Sequence, residues 1–425
     1  MARRVRAAVV GSLGNLVEWY DFYAYAAFAL YFAGSFFPGT DPVVQQLNAA
    51  IVFAVGFVVR PLGGWLFGYV ADRHGRRRAM LSSVLLMCAG SLMTAAMPTY
   101  ASIGVAAPVL LGVVRMLQGL SLGGEYGTSA TYLSEIAAPT RRGFYSSFQY
   151  VTLIGGQLCA VLVLLVLQHS GLTDASLRAW GWRIPFAVGG LLSIVAWLMR
   201  RSLPETDEFL IVKMQRTDTT RRSSLGALMQ HPREVALVLG LTVGGTTAFY
   251  TYTTYMQKFL RLSVGLTDRQ TTWITASSLV FALCLQPIYG AISDRIGRKP
   301  VLIWFGVAGT VATIPLLDAL QATKSAGMAF LLIAGAWLIV SGYTSINAVV
   351  KAELFPTHVR ALGVGLPYAV AVSIFGGTAE SIALWCKTIG HERWFYYYLT
   401  GLIATSLAVY VLMRDTRHES AMARR

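Results

Sequence analysis

The chain has 425 residues, 55% of them hydrophobic and only 13% charged, with a net charge of +15. A soluble domain of this length is about a quarter charged, so the composition excludes an ordinary soluble enzyme and asks for a solvent that does not demand charge. Lipid is that solvent: uncharged runs such as Ala79–Met97, Val151–Leu167 and Pro300–Leu317 approach the ~20 residues with which a helix crosses ~30 Å of hydrocarbon.

In chain order, the first apolar stretch (8–33) carries Glu18 and Asp21 and lacks a small-residue cleavage site, so it reads as a span and not a removable leader. Spans follow at about 46–70, 79–98, 105–128, 143–167 and 184–200. The longest hydrophilic stretch, Arg201–Arg233, holds Pro204, several Ser and Thr, and clustered Lys and Arg. Six more spans are predicted at about 234–257, 270–292, 300–318, 327–350, 361–385 and 394–413. The expected fold is an all-α membrane protein of twelve transmembrane helices, with six-helix halves at 1–200 and 234–425 and a cytoplasmic linker at 201–233.

With the N-terminus placed in the cytoplasm, the inner segments hold 25 Lys and Arg, the outer loops 8, and two, Arg60 and Arg115, lie inside spans. That asymmetry is the positive-inside signature and puts both termini in the cytoplasm. The basic excess is then a topology signal with anionic lipid as partner. It is not a nucleic-acid footprint, because no soluble segment interleaves stacking aromatics with basic residues. Cys88, Cys159, Cys284 and Cys386 are scattered in apolar runs without metal or disulfide spacing. No metal cluster, nucleophile elbow or phosphate-binding loop is visible, so the reading is a non-enzyme without cofactors, driven by a gradient.

The halves share local sequence. Gly68-Tyr-Val-Ala-Asp72-Arg73-His74-Gly75-Arg76-Arg77 aligns with Gly290-Ala-Ile-Ser-Asp294-Arg295-Ile296-Gly297-Arg298-Lys299 at an offset of 222. Glu135 and Arg142, around Pro139, are echoed by Glu353 and Arg360, around Pro356, at an offset of 218. Two loop motifs repeating at nearly one spacing imply duplicated halves about an axis along the membrane normal. The aspartates suit helix N-termini and the arginines suit acidic neighbours or lipid phosphate. Asp72, Arg73, Arg76, Glu135, Arg142, Asp294, Arg295, Arg298, Glu353 and Arg360 are therefore expected to latch the cytoplasmic side, the plainer reading being a topology anchor.

The first of these loops resembles the signature of the major facilitator superfamily, and Arg115-Met-Leu-Gln118-Gly119 resembles its fourth-helix arginine motif. Within it, Asn15-Leu-Val-Glu18-Trp19-Tyr20-Asp21-Phe22, Arg60-Pro61-Leu-Gly63-Gly64 and Gly123-Gly124-Glu125 are similar to the metabolite:proton symporter family. Further matching stretches include Gly119–Tyr132, Phe148–Gln157, Gly181–Phe186, Thr253–Lys258 and Arg360–Gly365. The resemblance implies a monomeric, proton-coupled importer of α-ketoglutarate or a related dicarboxylate. Relatives carry citrate, shikimate, or proline and betaine; the osmolyte carriers often bear a long C-terminal extension, whereas this chain stops at Arg425.

Ionisable groups within spans are costly and so are functional candidates. Arg60 and Arg115 suit substrate carboxylates, since arginine's planar fork fits a carboxylate; Arg115 as a helix-pairing residue is the alternative. Glu18 and Asp21, three apart on one helical face, are candidate proton carriers that pair with a cavity arginine in the empty state, and Glu125 is a third. Glu380 shows no basic partner at helical spacing. Gln149, Tyr150 and Gln157 on the fifth span, and Tyr250 and Thr254 on the seventh, are candidate pocket groups, although polar stripes also serve helix packing. Lys258 is placed at the periplasmic mouth. A proton-independent anion exchanger and a non-transporting sensor are the rival readings.

Overall fold

The computed structural model describes residues 2–74, 76–201, 224–356 and 359–417, so most of the predicted linker, 202–223, lies outside the described residues. Among the described residues the regular elements are helical. Twelve long passages are labelled here α1 to α12. α1 is Ala2–Phe36, α2 is Pro42–Val58 continued by Arg60–His74, α3 is Arg76–Ala95, and α4 is Ala106–Gly123 continued by Glu125–Ile136. α5 (Arg142–His169) and α6 (Ile184–Arg201) complete the first half. The second half runs through α7 (Pro232–Val264), α8 (Asp268–Ile296), α9 (Arg298–Ala322), α10 (Ala326–Leu354), α11 (Arg360–Thr388) and α12 (Glu392–Leu412).

Local chemistry sets the ends. Asp41 accepts a hydrogen bond from Val43 N and Pro42 opens α2, a pairing that suits a helix start. Thr267 and Gln270 close a capping box at α8. α7 differs from its predicted end at 257: π-turns at Thr251–Tyr255 and Leu260–Val264 carry it on to Gly265, whose φ of +82° stops it. α10 likewise runs past its predicted end at 350 to Leu354. Each extension draws a lysine, Lys258 or Lys351, into a span.

The surface is apolar and the interior holds charge. Val58, Leu62, Trp65, Val166, Val311 and Leu412 are exposed, whereas Arg115, Arg298 and Lys351 are at most 1% exposed. That inversion fits a lipid-facing bundle. Between the halves, α5 lies along α8 and α2 along α11.

Within the first half, α2 and α4 cross on glycines. A Cβ at Gly119 would overlap the Gly56 carbonyl oxygen, and one at Gly63 the Leu120 carbonyl, so backbone meets backbone. Gly119→Val forces the helices apart at roughly 1–3 kcal/mol or more, so it is expected to deplete monodisperse protein on size-exclusion chromatography. Gly112→Val, where nothing stands within 4 Å of a Cβ, should behave as wild type.

Candidate functional site

Two buried cations from opposite halves mark the interior. Arg60 begins the second segment of α2, after a break at Val59, and is 4% exposed. Its guanidinium carbon stands 3.9 Å from the Phe57 ring centroid, 4.4 Å from Phe22 and 5.3 Å from Trp19. Its Nε and Nη2 have no hydrogen-bond partner among the described residues. Desolvated cation–π contacts contribute about 2 kcal/mol, which offsets much of the insertion cost of an arginine but leaves Nε and Nη2 without an acceptor among the described residues. Lys351 on α10 is fully buried, donates to Asn347 Oδ1 at 2.9 Å and sits 3.9 Å above the Tyr368 ring. No described carboxylate pairs with either cation.

Arg115 is placed differently. It donates to Gln118 Oε1 at 2.7 Å and to the Phe22 carbonyl at 3.5 Å, and lies 4.5 Å from the ring centroids of Phe22 and Tyr25. Gln118 Nε2 donates to Ser91 Oγ at 3.0 Å, and Ser91 donates to Asp21 Oδ2. Asp21, fully buried, therefore reaches an arginine through Ser91 and Gln118 and not through the direct pair expected from the sequence. The reason is helix phase: Asp21 faces α3 and also α6, where a Cβ at Gly189 would strike its Oδ1. Glu18 is 1% exposed. The side chain of Glu125 lies outside the described residues.

Lys258 corrects the expected periplasmic-mouth position. It is 1% exposed and pairs with Glu380 of α11 at 2.9 Å, while donating to the Ala26 carbonyl of α1 at 2.9 Å. The basic partner that Glu380 lacks at helical spacing comes from another helix. Both lysines were hidden from the sequence by span ends drawn one residue short; the apolar residues after each, Phe259-Leu260 and Ala352, were the signal that the helix continues.

Both ends of the seam between halves are tied. On the face that carries the repeated loop motifs, Asp294 accepts from Gly143 N at 2.8 Å and Phe144 N at 2.9 Å, so a second-half carboxylate caps α5 of the first half. Arg298 braces Asp294 at 2.8 Å and reaches Glu353 at 3.6 Å. Arg360 pairs with Glu135 at 2.5 Å across the seam. Arg142 is half-buried and Arg295 is exposed; the side chains of Asp72, Arg73 and Arg76 lie outside the described residues. On the opposite face, Asp268 pairs with Arg178 at 3.0 Å across the seam and with Arg261 at 2.5 Å.

The predicted pocket groups divide. Tyr150 and Tyr250 are each 1% exposed, packed on Phe249 and Phe57 respectively at ring-centroid distances of 5.2 Å and 5.1 Å. Gln149 accepts from Ser129 Oγ at 2.8 Å. Gln157 donates to the Thr253 carbonyl at 3.0 Å, tying α5 to α7. Thr254 donates to the Tyr250 carbonyl of its own helix at 2.9 Å.

Comparison with known proteins gives this arrangement a context. The family described as Sugar (and other) transporter matches residues 7–232, and the family described as Major Facilitator Superfamily matches residues 237–424. The chain is 51% identical over 412 residues to the alpha-ketoglutarate permease of Escherichia coli K12, covering 97% of this chain and 94% of that one. It is 33% identical to the citrate-proton symporter of Salmonella typhi over 89% of this chain and 87% of that one. To the proline/betaine transporter of Escherichia coli K12 it is 30% identical, over 97% and 83%. The solved xylose transporter XylE from E. coli, in a partially occluded inward-open conformation, superposes with a TM-score of 0.73 at 18% identity, covering 98% of this chain and 99% of that one.

Because Asp294 takes two backbone N–H groups and an arginine, Asp294→Ala leaves the N–H groups of Gly143 and Phe144 without their acceptor and strips Arg298 of its nearest carboxylate, and breaking a buried pair costs about 3–5 kcal/mol. The variant is expected to open on that face: a cysteine in place of Ser147, buried against Gly290, should react with a bulky maleimide at least about tenfold faster than in a background with Asp294 intact. Equal rates would mean that the cap does not hold the seam.

Proposed function

Since the chain belongs to the major facilitator superfamily, we propose that it is a proton-coupled importer of α-ketoglutarate or a closely related dicarboxylate, working by alternating access. The observation that carries this reading is Arg60: a buried guanidinium, with Nε and Nη2 unsatisfied by the described residues, at a seam tied at both ends. An anionic carboxylate completes such a site. The 51% identity to a protein named for α-ketoglutarate supports the substrate class, and a proton symporter among the relatives supports the coupling.

In this reading 1–200 and 234–425 are the two moving halves and 201–233 links them. The motif face is cytoplasmic, both termini lie on that side of a bacterial inner membrane, and the monomer is the working unit, with anionic lipid at its basic rim. Asp294, Arg298, Glu353, Glu135 and Arg360 form the inner gate. Asp72, Arg73, Arg76, Arg142 and Arg295 join it when the halves move.

The membrane potential is worth ~2.3 kcal/mol per charge per 100 mV, so an anion of two negative charges moves inward only at a loss unless protons go with it. Two protons make entry electroneutral and three make it electrogenic. Asp21 is the proposed proton carrier: its charge bears on Arg115 through Ser91 and Gln118, so taking up a proton loosens a network that reaches α1, α3 and α4. Glu18 and Glu125 are the alternative carriers. Arg115 is a positioning residue that holds α1 by the Phe22 carbonyl, beside the Phe22 ring that also meets Arg60. Tyr150, Tyr250, Gln149, Gln157 and Thr254 shape the pocket wall.

In proteoliposomes under an imposed inward proton gradient, the wild type should accumulate labelled α-ketoglutarate, competed by excess unlabelled α-ketoglutarate more strongly than by citrate, shikimate or proline. Arg60→Ala should lower uptake by about a hundredfold, on the scale of a lost charged hydrogen-bond partner. Accumulation only when the vesicles are preloaded with an internal anion would replace symport by exchange.

Asp21→Asn removes the proton-carrying carboxylate but keeps its size. It should abolish gradient-driven accumulation while retaining exchange of internal for external substrate within about a factor of three of wild type. Accumulation at the wild-type level would move the proton to another carboxylate.

A further inference from the structure

Buried cations in this bundle fall into two groups. Those at structural ties come with their anion: Lys258 with Glu380, Arg298 with Asp294 and Glu353, Arg360 with Glu135. Arg115 is taken up by Gln118 and a carbonyl. Arg60 and Lys351 pair with no carboxylate among the described residues, and they stand on opposite halves.

Lys351 is held without a carboxylate by a cage. Its ammonium lies 3.9 Å from the Tyr368 ring centroid, 5.4 Å from Tyr126 and 5.9 Å from Tyr343. Tyr126 and Tyr368 stack at 3.7 Å, which brings α4 of the first half against α11 of the second. Asn347 Oδ1 accepts both from Lys351 at 2.9 Å and from the Tyr126 hydroxyl at 2.8 Å. The cage orients the ammonium but satisfies one of its three donors with an ordinary hydrogen bond. α11 also connects the two cations: it carries Tyr368, over which Lys351 sits, and Ser373, which donates to the carbonyl of Phe57, the residue whose ring Arg60 lies over. Both cations thus rest on aromatic rings held to one helix.

We propose that Lys351 is the second substrate anchor, taking one carboxylate of the dicarboxylate while Arg60 takes the other, so that the bound anion bridges the two halves. This rests on the reading of the protein as a dicarboxylate importer and adds what selects the second carboxylate. Asn347 and Tyr126 are positioning residues: they hold Lys351 ready and keep their own hydrogen bond when the ammonium turns to the substrate. A monocarboxylate reaches one cation only and leaves the other uncompensated. A zwitterion sets its own cation against Lys351, a repulsive element that discriminates as strongly as the attractive one.

The test compares wild type, Lys351→Met and Lys351→Arg as purified full-length protein. Binding of α-ketoglutarate is measured beside binding of 2-oxopentanoate, which has the same carbon chain without the distal carboxylate. Lys351→Met should weaken α-ketoglutarate binding by about tenfold or more, on the scale of a lost charged hydrogen bond. It should leave 2-oxopentanoate binding within about twofold and the unliganded melting temperature unlowered, because the residue removed pairs with no other charge. Lys351→Arg should recover most of the loss. Unchanged α-ketoglutarate binding in Lys351→Met overturns the proposal, as does an equal loss for both ligands.

The wild type separates this from the functional reading. If it binds citrate or another polycarboxylate in place of α-ketoglutarate, the substrate assignment fails. The comparison is then made with that anion and its mono-acid analogue, and the same two outcomes decide Lys351. A wild type that binds only proline or betaine overturns both.

Discussion

Placing a charge in hydrocarbon costs several kcal/mol unless it finds a partner or a polar cavity, and this bundle is organised around how each charge meets that cost. The outer surface carries Leu, Val and Trp, and the charges turn inward. Where a charge meets its opposite, two helices are tied. Lys258 and Glu380 join α7 to α11, and Arg360 and Glu135 join α11 to α4. Asp294 does the same with no cation from the other half, by accepting the first free N–H groups of α5. The ties between the halves, Arg360 with Glu135, Asp294 with α5 and Asp268 with Arg178, stand at the two ends of the seam, where one half has to release the other for a passage to open.

The middle of the seam follows a different rule. There Arg60 and Lys351 are wrapped in aromatic rings, which are polarisable but carry no net charge. Rings make burial tolerable without neutralising the cation, so the attraction to an anion is retained. A carboxylate in their place would stabilise the empty bundle more and remove that attraction. The contrast between neutralised ends and un-neutralised centre is what the proposed anion site rests on.

Asp21 sits off this axis, behind α1, with Ser91 and Gln118 between it and Arg115. In the proposed function this arrangement separates the proton from the substrate while keeping both on one helix: Phe22, the next residue, faces Arg60 and lends its carbonyl to Arg115. α1 is therefore the element through which a change at Asp21 is felt at the site. Its near-total burial from Trp19 to Ala33 reflects contact with neighbours on every side.

Much of this was legible in the chain before any coordinates. Apolar runs of span length, the inward bias of Lys and Arg, and two loop motifs repeated at offsets of 222 and 218 determined a membrane protein, its helix number and its duplicated halves. Those properties are written in composition and period, which survive without knowledge of contacts. Arg60 and Asp21 stood out for the same reason, as charges far from any span end. What only the tertiary structure decided was partnership. Glu380 and Lys258 are 122 residues apart, Asp21 and Ser91 are 70 apart, and Tyr126 and Asn347 are 221 apart. No helical spacing links them. Lys351 looked like a loop residue because a lysine lowers local hydropathy and a span drawn from hydropathy stops before it. In the bundle the cage of Tyr126, Tyr343 and Tyr368 replaces water, and that replacement, made by three helices together, is what lets the helix carry a charge past the point where the sequence alone would end it.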